Sequence, residues 1–119
     1  MRRGHLDAPL ICGSVASCLS VTCRSAACRF MKLALAQINP TVGDIAGNCA
    51  LVERFARRAR EAGATLAVFP ELCISGYPPQ DLLFQQGFVE ACARAAKELG
   101  RRASKDLTMV FGCPLPVDG

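Results

Sequence analysis

One acidic side chain stands where it can do chemistry. Glu71 follows Thr65–Phe69, a short apolar run ended by Pro70. A carboxylate fixed at the end of a buried strand, beside apolar groups, has its charged form disfavoured by desolvation, which moves it towards the range useful to a general base. The ordinary alternative for an isolated Pro-Glu is a residue that caps the next turn. Six residues on, Tyr77 can wall a pocket with its ring and bond a polar group with its hydroxyl, or simply pack on Pro78 and Pro79. Asp81 reads as a cap for the turn that follows.

Other reactive types are less well placed. The chain has eight cysteines and one histidine, His5. No Cys-x-x-Cys pair occurs, so neither a structural zinc site nor any other metal site is expected. Cys49 and Cys92 fall inside helix-like patterns, where a free thiol packs as a small hydrophobe. Cys73 lies two residues from Glu71 and invites a nucleophile assignment. For it and for Cys113 the ordinary alternative is a small buried or loop residue. An even cysteine count permits disulfides, but the pattern favours a reduced, cytoplasmic protein.

Composition narrows the class. The 119 residues are 51% hydrophobic and 20% charged, which suits one small globular domain. Of the net charge of +4, +3 comes from residues 1–30, where Arg2, Arg3, Arg24 and Arg29 stand against Asp7. The remainder is close to neutral and has no basic stripe, which argues against nucleic acid as a partner. No apolar run is long enough to span a membrane as a helix. Residues 1–30 have a basic start, a weakly apolar middle and small residues after it, the rough outline of a targeting leader. The reading favoured here is a start placed too early, with Met31 immediately before the first strand; residues 1–30 are set apart from the domain at 31–119.

The elements that must position Glu71 follow from periodicity. Lys32–Asn39 is apolar on both faces, as in a strand covered on both sides, and Pro40 stops its ladder. Thr41–Gly47 is a loop with Gly43 and Gly47 as breakers. Asn48 or a neighbour caps a helix running to about Ala62, with Leu51, Val52, Phe55, Ala59 and Ala62 on its apolar side and Gly63 as its stop. Its Arg54, Arg57 and Arg58 read as a solvated face. Thr65–Phe69 is the second strand, parallel to the first through a right-handed crossover. Glu71–Pro79 is then a loop at a carboxyl strand end, where open α/β sheets place ligands. Asp81–Phe84 forms a helical turn, Phe88 to about Ala103 a second amphipathic helix and Leu107–Gly112 a third strand. The order is β-α-β-α-β.

MKLALAQINPTVGDIAGN, GATLAVFPEL and SGYPPQDLL, in that order and spacing, resemble the amino-terminal part of the nitrilase (carbon–nitrogen hydrolase) superfamily. AQINPTVGDI with GYPPQDLL is most similar to the glutamine-hydrolysing domain of glutamine-dependent NAD synthetases. The likeness covers residues 31–119, about three-quarters of the chain. It implies an α/β fold, the β-α-β-α-β portion of a four-layer αββα sandwich. It also implies a Glu–Lys–Cys chemistry. A cysteine thiolate attacks the amide carbon, the glutamate serves as base, and the lysine stabilises the oxyanion. By this resemblance Glu71 is the general base and Tyr77 lies near the substrate. Gln80, where the family often has Glu, is given no catalytic role.

Lys97, Lys105, Cys73 and Cys113 match neither the family lysine nor its nucleophile. The resemblance implies no cofactor for the amidase chemistry, with ATP and magnesium expected only for a synthetase domain. It implies glutamine or another small amide as substrate, and a homo-oligomer when intact. Three functions stand open: an amino-terminal fragment of the glutaminase part of an NAD synthetase, a stand-alone amidase or nitrilase, and a catalytically inactive fragment that acts only as a binding module or as nothing at all. With the lysine and nucleophile unmatched, the 119-residue chain alone is expected to show no glutaminase or nitrilase activity; a turnover abolished by Glu71→Gln would contradict this.

Overall fold

The computed structural model describes residues 32–117. The leader assignment for residues 1–30 lies outside them. The elements run β1 (Leu33–Leu35), α1 (Ile45–Glu61), β2 (Leu66–Val68), a short 3-10 helix (Gln80–Phe84), α2 (Phe88–Ala103) and β3 (Thr108–Val110). All three strands are parallel, in the order β1-β2-β3. The register pairs Ala34 with Ala67 and Ala67 with Met109.

Small residues on one sheet face let the helices approach closely. Ala34 and Ala67 are buried, and they share a core with Val52, Phe55, Ala56 and Ala59 of α1 and Cys92, Leu99 and Ala103 of α2. A salt bridge of 3.1 Å from Arg102 to Glu53 links the helices at their edge. Arg60 donates 2.6 Å to the Ala103 carbonyl, where α2 ends. The opposite face is open among the described residues. Leu35 and Val110 are exposed there, and Leu33, Leu66 and Val68 are half-buried. The expectation that β1 is covered on both faces is therefore not met within residues 32–117. Both helices pack on the alanine side, and the leucine side of β1 faces away from them.

The start of α1 corrects a second expectation. Its cap is Asp44, whose side chain accepts a 2.9 Å hydrogen bond from the Gly47 amide. An aspartate three residues ahead of a free helical N–H has the reach to satisfy it. Asn48 is thereby released from capping and sits one turn inside the helix. Gly47, expected to break structure, is likewise helical. The far end follows expectation: Arg58 and Arg60 occupy the last turn, and Gly63 takes a left-handed φ of +76°. Asp81 does not act as a cap, because Pro79 occupies the cap position of the 3-10 helix, with no side-chain hydrogen bond, and Gly87 that of α2. No helix among the described residues is long and apolar enough to cross a membrane.

Candidate active site

Parallel strands put the loops that follow them at one end of the sheet. The segment after β1 (residues 40–44), the segment after β2 (71–79) and the segment after β3 (111–113) meet there. Glu71 opens the middle one. Its side chain is exposed, so the burial expected from the sequence is absent among the described residues.

The backbone beneath Glu71 is held tightly. Cys73, Ile74 and Ser75, two to four residues on, are fully buried. Leu72 adopts φ +51°, a left-handed conformation that costs a bulky residue about 1–2 kcal/mol. Such outliers persist only where the surroundings enforce them, and they gather at functional sites. Here the Leu72 carbonyl accepts from the Gly76 amide at 2.9 Å and from the Ser75 hydroxyl at 3.3 Å.

Two glycines set the loop against its neighbours. A Cβ on Gly76 would lie 2.5 Å from Val42 Cα and 2.7 Å from Val42 N. A Cβ on Gly112 would lie 2.8 Å from Leu72 N and 3.1 Å from Glu71 Cα. The Glu71 loop is thus in backbone contact with the β1–α1 loop on one side and with the chain leaving β3 on the other. Hydrogen bonds follow the same seams: the Gly43 amide donates to the Ser75 carbonyl at 2.8 Å, and the Cys73 thiol donates to the Gly112 carbonyl at 3.7 Å.

Tyr77 is 68% exposed in the same loop, after Gly76. The structure brings Glu71 and Tyr77 to the same sheet end, each with its side chain open to solvent. Gln80 and Asp81 are exposed in the 3-10 helix, and Lys97 and Lys105 are exposed on and just after α2. No group of three His, Cys, Asp or Glu side chains that could hold a metal occurs among the described residues.

The cysteines are placed as packing residues. Cys49, Cys73 and Cys92 are buried free thiols, and Cys113 is half-buried. Burial pushes the Cys73 thiol up from its usual value of 9.0 to about 11. Burial also raises Cys49, Cys92 and Cys113. A rise of that size for Cys73 cuts the thiolate fraction at neutral pH roughly a hundredfold. Cys73 is therefore expected to resist iodoacetamide at pH 8 in the folded chain and to react once denatured. Labelling of folded Cys73 at the rate of an unfolded cysteine, followed by peptide mass mapping, would contradict that.

Residues 32–106 match the carbon-nitrogen hydrolase family. The chain belongs to that family. It is 38% identical over 84 residues to a glutamine-dependent NAD(+) synthetase of Synechocystis, covering 71% of this chain and 15% of that protein. The chain thus spans about 15% of the length of such relatives. Among solved structures, a glutamine-dependent NAD(+) synthetase from Cytophaga hutchinsonii superposes with a TM-score of 0.69 at 25% identity, over 73% of this chain and 15% of that one. An amidase from Nesterenkonia sp. superposes with a TM-score of 0.63 at 30% identity, over 73% of this chain and 33% of that one. The described fold is the β-α-β-α-β portion of a nitrilase-like α/β architecture.

Sequence reasoning missed the close approaches of Gly76 and Gly112 and the burial of Asn48. Gly76 stands within SGYPPQDLL. Nothing local to Gly112 indicated a backbone contact 40 residues away in sequence with Leu72.

Proposed function

We propose that this carbon–nitrogen hydrolase chain carries the general base of an amide-hydrolysing site, and that Glu71 is that base. The carrying observation is the placement of Glu71: an exposed carboxylate at the carboxyl end of a parallel sheet, on a backbone fixed from both sides. A base must reach the proton it removes, so its main chain needs to be rigid while its carboxylate faces the substrate space. Glu71 would take the proton of an attacking cysteine thiol and later that of the water that releases the acyl group; a lysine would hold the oxyanion. Tyr77 would line the amide-binding side of the loop.

The substrate proposed is glutamine, with its ammonia passed to a synthetase domain that amidates deamido-NAD. The names of the Synechocystis and Cytophaga relatives support this. The amide hydrolysis needs no cofactor; ATP and magnesium would serve only the synthetase step. A cytoplasmic location fits the four free cysteines among the described residues, and a homo-oligomer belongs to the same reading. The Nesterenkonia amidase supports a second reading, a stand-alone hydrolase of a small amide; a variant of that amidase, 29% identical, was solved in complex with acrylamide.

A chimera tests both readings. Residues 32–106 of this chain replace the matching segment of the Synechocystis synthetase, and ammonia release is measured with glutamine and with acrylamide. Turnover of glutamine that depends on Glu71 supports the first reading, and turnover of acrylamide alone supports the second. A folded chimera whose activity survives Glu71→Gln unchanged overturns both.

A further inference from the structure

Asn48 belongs to α1, yet its side chain serves the loops. It is 2% exposed, one of two buried polar side chains among the described residues, the other being Ser75. Three hydrogen bonds use it. Its Oδ1 accepts from the Thr41 amide at 2.8 Å, and its Nδ2 donates to the Thr41 carbonyl at 2.7 Å and to the Ile74 carbonyl at 3.0 Å. The primary amide is the side chain that offers both an acceptor and two donors on so short a stem. The pair of bonds to Thr41 mimics a strand-like backbone pairing; the third crosses to the loop that begins at Glu71.

The surroundings make this a joint and not an incidental contact. Next to it, the Gly43 amide bonds the Ser75 carbonyl at 2.8 Å, and Gly76 meets the Val42 backbone with no room for a Cβ. Ile74 is completely buried, so without Asn48 its carbonyl has no water to turn to. The only covalent path between Ile74 and Glu71 is two residues, one of them Leu72 in its left-handed conformation. Displacement at Ile74 therefore passes directly to the Glu71 main chain.

We infer that Asn48 is a positioning residue for Glu71, holding the loop that bears the base against the β1–α1 loop. The inference rests on the amide-hydrolase reading given above. Asn48 does not touch substrate; it sets where the carboxylate stands. Loss of its donors should leave the helix and sheet in place and loosen residues 71–76, because the remaining seams lie on either side of the vacated one.

The test compares Asn48→Ala with Val52→Ala. Val52 is one turn further along α1, fully buried, and packs in the helix–sheet core. In the full chain, hydrogen exchange at the Gly43 and Gly76 amides is expected to quicken by about tenfold or more in Asn48→Ala relative to the Ala36 and Phe69 amides of the sheet. Val52→Ala should speed all four together. In the chimera, Asn48→Ala is expected to lower kcat by about 10- to 100-fold with little change in KM, because a misplaced base loses reaction geometry before it loses binding. Val52→Ala should not split kcat from KM in this way.

If the two variants loosen the same amides, or if Asn48→Ala loosens the loop while kcat stays unchanged, the positioning role is wrong. If Asn48→Ala fails to fold in the chain, the chimera decides alone, and an unaltered kcat there overturns it. Glu71→Gln run beside these variants separates the two claims: activity that survives it removes the amide-hydrolase reading itself, whatever Asn48 does.

Discussion

Glu71→Gln is expected to reduce amide hydrolysis by about 10²- to 10⁴-fold, the range a positioned general base supplies. The substitution keeps the size and hydrogen-bonding shape of the side chain and removes its ability to accept a proton. Glu71 is exposed, and it makes no side-chain hydrogen bond or salt bridge among the described residues, so the folded state has little to lose. Surface substitutions of this kind fall within about 0.5 kcal/mol of the parent in stability. The two effects together distinguish chemistry from structure: a large loss of kcat in the chimera with an unchanged thermal midpoint. A parallel fall in both would assign Glu71 a structural part instead. Retention of most of the activity would remove it from the mechanism. Glu71→Asp shortens the stem by one methylene and should show an intermediate loss, since the carboxylate remains but its reach does not.

Gly76→Ala is expected to act in the opposite way, on the fold first. Gly76 has φ +79°, and the added Cβ would stand 2.5 Å from Val42 Cα, 2.7 Å from Val42 N and 2.8 Å from the Thr41 carbonyl carbon. All three neighbours are main chain, so no flexible side chain can swing aside. Left-handed backbone in a non-glycine residue and a backbone collision together place the cost at about 3–5 kcal/mol, a large part of the stability of a small domain. Relief requires the Glu71 loop to part from the β1–α1 loop, which breaks the Gly43–Ser75 and Asn48–Ile74 bonds as well. Chemical denaturation read by circular dichroism checks this. Gly63→Ala is the control, because Gly63 also has positive φ, at +76°, but its Cβ meets nothing within 4 Å. A loss for Gly76→Ala no greater than for Gly63→Ala would show that the close approach carries no energy.

Cysteine placement shows how far local pattern reaches. Cys49 and Cys92 are legible as packing residues because they fall inside helix-like patterns, where a free thiol packs as a small hydrophobe. Cys73, two residues from a candidate base, is ambiguous by local pattern, and only the resemblance speaks against it as nucleophile. The structure supplies the physical ground: full burial and a thiol held neutral against attack.

Asn48 shows where it stops. From the sequence, an asparagine before an apolar-periodic run is a cap, and Asp44 is only one of several neighbours able to compete. What settles the matter is the Ile74 carbonyl, 26 residues away, which arrives at Asn48 only after the sheet has formed.

The elements, their parallel order, the carbon–nitrogen hydrolase resemblance and the place of Glu71 at a carboxyl strand end are all legible along the chain. These depend on periodicity, turn residues and motif spacing, which act between near neighbours. Tertiary structure decided the rest. It chose Asp44 over Asn48 as the cap and set both helices on the alanine side of β1. It left Glu71 exposed among the described residues and made Gly76 and Gly112 points of backbone contact. Each of these depends on atoms brought together across a loop or a whole crossover, and no pattern along the chain records how closely two such segments will meet.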